Sequence, residues 1–169
     1  MLLINYNKEG SIGGIKTLFV PHCFNEILTN IPKEVENLIF SCHSSSFNQP
    51  VDNLPENIYK IRFGFCFNQP VDNLPKKLTQ LTFGYKFNKP VDNLPKNLKY
   101  LTFNNEFNQP VDNLPNNLIE LTFGYSFNQS VDNLPNNLKY LTFGRQTPVR
   151  LAHPKIFIIF EMTIILINL

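Results

Sequence analysis

The phrase FNQPVDNLPKKLTQLTFGYK, residues 67–86, runs without a break into FNKPVDNLPKNLKYLTFNNE, residues 87–106, and is itself preceded by FNQPVDNLPENIYKIRFGFC, residues 47–66. Two more copies follow, FNQPVDNLPNNLIELTFGYS at 107–126 and FNQSVDNLPNNLKYLTFGRQ at 127–146. Phe47, Phe67, Phe87, Phe107 and Phe127 therefore recur every 20 residues. Self-similarity at such a period marks a repeat architecture, in which each unit buries on its neighbours an apolar face that it cannot bury alone.

Upstream, Phe24-Asn25 is followed at the right offsets by Asn30, Ile31, Pro32, Val35, Leu38 and Phe40, a worn unit spanning 24–46 with three extra residues. Ile15, Leu18 and Val20 match the last apolar positions of one more, so 15–23 is a half-repeat. The array runs over 15–146, after a lead-in at 1–14 and before a divergent segment at 147–169.

Within a unit, Leu78, Leu81 and Phe83 have the spacing of a short strand entered from a turn, and the alternation Leu81-Thr82-Phe83 puts Leu and Phe on one face and Thr on the other. The rest of the unit is dense in Pro, Asn and Asp, which fix backbone angles or make local turns, so it is an extended return path with no helix. The expected fold is a repeat solenoid: a parallel β-sheet of short strands with irregular, helix-poor return loops. Val91, Leu94, Leu98, Leu101, Phe103 and Phe107 of one coil meet the same set from the next. At about 4.8 Å per strand, six to seven coils make a body roughly 30 Å long.

Polar residues recur in columns as well. Asn48, Asn68, Asn88, Asn108 and Asn128 are expected to satisfy backbone groups of their own and adjacent coils. Asp52, Asp72, Asp92, Asp112 and Asp132 stack as like charges, which requires a compensator. Local backbone N–H groups in Asx turns are the expected one, with a row of calcium ions as the other reading.

The 169 residues, 43% apolar and 17% charged with a net charge of +2, supply a core and exclude a disordered charged tail; nothing in that balance points to nucleic acid or an anionic membrane surface. The excess of 16 Phe, 13 Pro and 24 Asn beside 7 Gly and no Trp is the repeated phrase counted several times over. The opening MLLINYNKEG lacks the pattern of a secretory leader, so a cytoplasmic protein with free Cys23, Cys42 and Cys66 is expected, in the host cytoplasm if the source is a virus. The sequon at Asn128 is then idle. The apolar run at 156–169 is 14 residues long and holds Glu161, short of a membrane span, and is expected to be buried. The segment 147–169 is either a cap over the last coil or a degraded repeat; an open end would expose strand edges.

The F-N-x-P phrases at 47–50, 67–70, 87–90 and 107–110 resemble FNIP repeats, a family named for that signature and found mainly in amoebae and the giant viruses that infect them. Ser130 replaces the Pro in the fifth unit and Ile27 in the worn one. The family is grouped with leucine-rich repeats, and L-P-x-x-L-x-x-L-x-F is similar to the 20-residue units of bacterial effector leucine-rich proteins. Those place Asn three residues past the strand's last apolar residue; here Cys66, Lys86, Glu106 and Ser126 stand there and Asn follows two later, which leaves the turn after the strand open. The resemblance implies a leucine-rich-repeat-like, non-enzymatic solenoid that binds another protein, a host protein in the viral case. It also offers an alternative, the substrate receptor of a ubiquitin ligase, because such arrays often follow an F-box and Ile31 to Phe40 has a similar opening phrase; that stretch is, however, in register with the repeat.

Catalytic motifs are poor. Gly10 to Thr17 lacks the Gly directly before Lys16 that a phosphate loop needs and is expected to be a lead-in turn. His22, His43 and His153 have no nucleophile and acid at workable spacing, so neither an enzyme nor a cofactor is expected. His22, Cys23, Cys42 and His43, with Cys66 one coil on, all follow strands and are weak candidates for a tetrahedral zinc site; free thiols are the expected state.

A binding surface, if present, is expected on the open face of the sheet, in three columns: Tyr59, Thr79, Lys99, Ile119, Lys139; then Lys60, Gln80, Tyr100, Glu120, Tyr140; then Arg62 and Thr82, Thr102, Thr122, Thr142. The Thr column suits the sheet itself. The first two vary and carry Tyr and Lys, residues fitted to protein contact, and Tyr59, Lys60, Gln80, Lys99, Tyr100, Glu120, Lys139 and Tyr140 form the expected partner-binding face of a monomer that binds neither nucleic acid nor membrane. The bland reading is solvated surface.

Overall fold

The computed structural model describes residues 16–41, 44–144, 156–157 and 163–166. Seven strands recur once per unit: β1 Thr17–Val20, β2 Asn37–Phe40, β3 Lys60–Arg62, β4 Gln80–Thr82, β5 Tyr100–Thr102, β6 Glu120–Thr122 and β7 Tyr140–Thr142. They pair in sequence order, all parallel, with Leu18, Leu38, Ile61, Leu81, Leu101, Leu121 and Leu141 in register. No helix occurs among the described residues. The strands last only three or four residues because a Pro-led turn (Pro55, Pro75) precedes each of β3 and β4 and a turn at Gly64 or Gly84 follows it. Ile31 to Phe40 completes the worn coil and ends in β2. No helical F-box opens there.

The core is a stack of identical layers. Phe63 and Phe67 of one coil lie face to face with ring centroids 3.7 Å apart, Phe83 and Phe87 of the next at 3.6 Å, and successive layers repeat at 5.4–6.1 Å between equivalent rings. Ten of these phenylalanines are essentially inaccessible. Each such ring, fully buried, stabilises the fold by roughly 1.5–3 kcal/mol. At Gly84 the coils leave no room for a side chain, since a Cβ would stand 1.8 Å from the Gly64 carbonyl oxygen, and Gly64, Gly84, Gly124 and Gly144 form a column in the turn after the strand. The worn coil takes its extra residues in this turn, and the buried Ser45 hydroxyl accepts the Phe47 N–H there at 3.4 Å.

Past β7 the direction changes. β9 (Thr163–Leu166) pairs with β7 antiparallel, Leu141 opposite Ile164, and β8 (Ile156–Phe157) lies outside it, also antiparallel. A further repeat would have added a parallel strand. Side-chain burial at 156–169, the turn at 10–15 and the positions of Cys42, His43 and His153 lie outside the described residues.

Candidate functional site

On every strand the inward side chain builds the core and its neighbours emerge on the open face. Leu101 is 1% exposed while Tyr100 is 39% exposed, and Leu141 and Tyr140 repeat the contrast at 0% and 45%. The register aligns Thr17, Asn37, Lys60, Gln80, Tyr100, Glu120 and Tyr140 in one column. A second column, one residue earlier, is linked coil to coil by main-chain bonds: Thr79 N–H donates to Tyr59 O at 2.8 Å, Lys99 to Thr79 at 2.9 Å, Ile119 to Lys99 at 2.8 Å and Lys139 to Ile119 at 2.9 Å. The expected columns therefore exist as rows of side chains about 4.8 Å apart. Lys99, Tyr100, Glu120, Lys139 and Tyr140 are exposed, and Lys60 and Gln80 half-buried.

The face is not uniform. Toward its start, Thr17, Asn37, Ile39, Tyr59, Lys60 and Gln80 line a shallow hollow of about 320 Å³, where Asn37 Nδ2 donates to Thr17 Oγ1 at 3.0 Å. Beside it, Lys16 Nζ donates to Glu36 Oε1 at 2.8 Å, and that bond and the carboxylate's charge raise the Lys16 pKa. Toward its end, Tyr100, Glu120 and Tyr140 alternate in one column with Lys99, Ile119 and Lys139 beside them.

The polar ladders are structural. Asn68 N–H donates to Asn48 Oδ1 at 2.8 Å, and the same bond repeats from Asn88, Asn108 and Asn128 at 2.8–3.0 Å. Gln69, Gln109 and Gln129 add their amides to the same oxygens at 3.0–3.1 Å. The Asp column differs from expectation. The Asp52, Asp72, Asp92 and Asp112 carboxylates each accept from the Asn one coil and one residue on, Asn73, Asn93, Asn113 and Asn133, at 2.9–3.0 Å. The compensator is a neighbouring coil's amide rather than a local Asx turn, because stacking brings that amide within reach.

Of the weak zinc candidates, His22 and Cys23 stand among the described residues, while Cys42 and His43 lie outside them. Ser46 N–H bonds to His22 O at 2.8 Å and Cys66 N–H to Ser45 O at 3.1 Å, so the serine turn lies between the levels of Cys23 and Cys66. Two coil steps, about 10 Å, exceed what one zinc ion spans. Among the described residues no three His, Cys, Asp or Glu side chains converge on one point.

One feature escaped the sequence reading: a row of rings outside the core. Phe65 and Tyr85, in the turn after the strand, stack at 4.8 Å with planes 13° apart, and Lys86 Nζ lies 5.8 Å from the Phe65 centroid. The recurrence of a ring at Phe65, 20 residues on at Tyr85 and 40 further on at Tyr125 was the available signal.

The family model for the FNIP repeat matches residues 47–86, 67–105, 87–113 and 107–146, more than half of the chain. The chain belongs to the FNIP-repeat family. Among solved structures, the FNIP array is similar to CroV588, a giant-virus protein described as a novel circular LRR protein, with 36% identity and a TM-score of 0.68 over 81% of this chain. The chain spans 25% of that protein's length. The leucine-rich-repeat type of solenoid is thereby established for the FNIP array. A search of curated proteins returned no match.

Proposed function

We propose that the FNIP array is a non-enzymatic, cytoplasmic interaction scaffold that binds a partner protein through the open sheet face, chiefly its second half. The observation carrying this reading is the contrast within single strands: a nearly uniform, buried Leu and Phe framework beside exposed columns that change from coil to coil and place Tyr100, Glu120 and Tyr140 in one row. Tyrosines supply large contact area at low entropy cost, and flanking Lys99, Lys139 and Glu120 give a partner charges to match. Repeat solenoids of this kind are commonly interaction scaffolds, which supports the same reading. The β8–β9 hairpin serves as the cap, its antiparallel pairing covering the β7 edge.

The test is capture from a cell extract by the full chain and by a Tyr100→Ala/Tyr140→Ala double variant, with partner recovery quantified against an unrelated solenoid. Loss of a specific protein in the double variant supports the face; equal recovery sinks it.

A further inference from the structure

The row of rings beside the sheet has a missing member. Counting by coil, the positions after the glycine column are Phe65, Tyr85, Asn105 and Tyr125. In the coil that begins at Phe87 the pair Gly-Tyr is replaced by Asn104-Asn105, whose turn closes on itself through Asn105 N–H donating to Asn104 Oδ1 at 2.9 Å. Phe65 covers one side of Tyr85. On the other side, where the next ring is due, there is a half-buried Asn, and beyond it Tyr125, 49% exposed. Two coil steps put Tyr85 and Tyr125 about 10 Å apart. A planar group seated midway keeps the spacing that Phe65 and Tyr85 already show.

The charge next to this gap selects among planar groups. In the preceding coil Lys86 lies over Phe65, a cation against a ring face. The residue holding the same place in the gapped coil is Glu106, exposed, its main chain held by the Glu106 N–H to Tyr85 O bond at 3.0 Å. A ring column that carries its own cation at one step thus carries a carboxylate at the next. A guanidinium answers both features, because it is flat, stacks on aromatic faces and pairs with a carboxylate through a two-pronged hydrogen-bonded fork. An ammonium lacks the plane, an uncharged ring lacks the charge, and the phosphates of a nucleic acid would meet Glu106 with like charge.

We infer that the Tyr85–Asn105–Tyr125 gap is a docking notch for an arginine side chain of a partner protein, with the guanidinium between the two tyrosines and Glu106 as its counter-ion. This notch is separate from the sheet face and stands or falls independently of it.

The experiment is NMR titration of the isotopically labelled full chain with N-acetyl-arginine methylamide and, in parallel, with the lysine counterpart, N-acetyltryptophan amide and a short single-stranded oligonucleotide. The ring signals of Tyr85 and Tyr125 and the amides of Asn105 and Glu106 are expected to shift together and saturate in the millimolar range, with the lysine compound about 5-fold weaker or more. An Asn104→Gly/Asn105→Tyr variant restores the Gly84-Tyr85 phrase, fills the gap without straining the coil, and is expected to abolish the saturable shifts. Glu106→Gln, a surface change, is expected to weaken binding about 10-fold. Unsaturating shifts, undiminished binding by the filled variant, or tighter binding of the tryptophan, lysine or nucleotide probe overturns the proposal.

Discussion

Leu101 and Tyr100 are adjacent on one three-residue strand, yet they obey different rules. Leu101 belongs to a column in which almost every coil has Leu, because its neighbours above and below are the same residue and any change in volume is felt by both. Tyr100 stands between Gln80 and Glu120, with no volume to match and water on one side. Stacking thus imposes uniformity on the inner columns and releases the outer ones, and a recognition surface has to be written in the latter.

The largest effect that breaks this comparison is expected from the inside. Phe83→Ala removes a ring stacked against Phe63, Phe87 and Phe103 and should cost about 3–5 kcal/mol, read as a lowered midpoint in denaturant unfolding. A cost under about 1 kcal/mol would mean that the layers are not packed as described. Next comes the polar ladder. Asn88→Ala strands the Asn108 N–H and the Gln109 amide, both 3.0 Å from Asn88 Oδ1, and should cost about 1–3 kcal/mol.

Asp72→Asn is expected to do much less. The amide oxygen still accepts from Asn93, and removing one charge from a column of carboxylates offsets the loss of charge assistance, so stability should move by less than about 1 kcal/mol in either direction. Added calcium should leave the melting temperature unchanged; a calcium-dependent rise would revive the metal row. Smallest of all is the outer column, where Tyr100→Ala should change stability by no more than about 0.5 kcal/mol.

Much of this was legible before any coordinates. Period, strand placement, inner columns and outer columns follow from one unit, since side-chain alternation and the need to bury Leu and Phe leave little choice. What runs between coils was harder to read. That Asp52 meets Asn73 rather than its own turn depends on the small axial offset of successive coils, which no single unit encodes. The serine turn between Cys23 and Cys66 is, by contrast, a plain matter of coil count, since the strand register passes through the worn coil unchanged. The antiparallel β9 could not be foreseen from a segment in which the phrase has dissolved. The gapped ring row was visible as Phe65, Tyr85, Asn105 and Tyr125, but its meaning required knowing that the rings stack.

The central claim is that framework and recognition occupy opposite sides of the same strands. It is tested most directly by measuring, on one preparation of Tyr100→Ala/Tyr140→Ala and of the unaltered chain, both the unfolding midpoint and the quantity of each protein captured from a cell extract. Coincident unfolding curves with at least one specifically captured protein lost from the variant are the predicted result. Coincident curves with identical capture would contradict it.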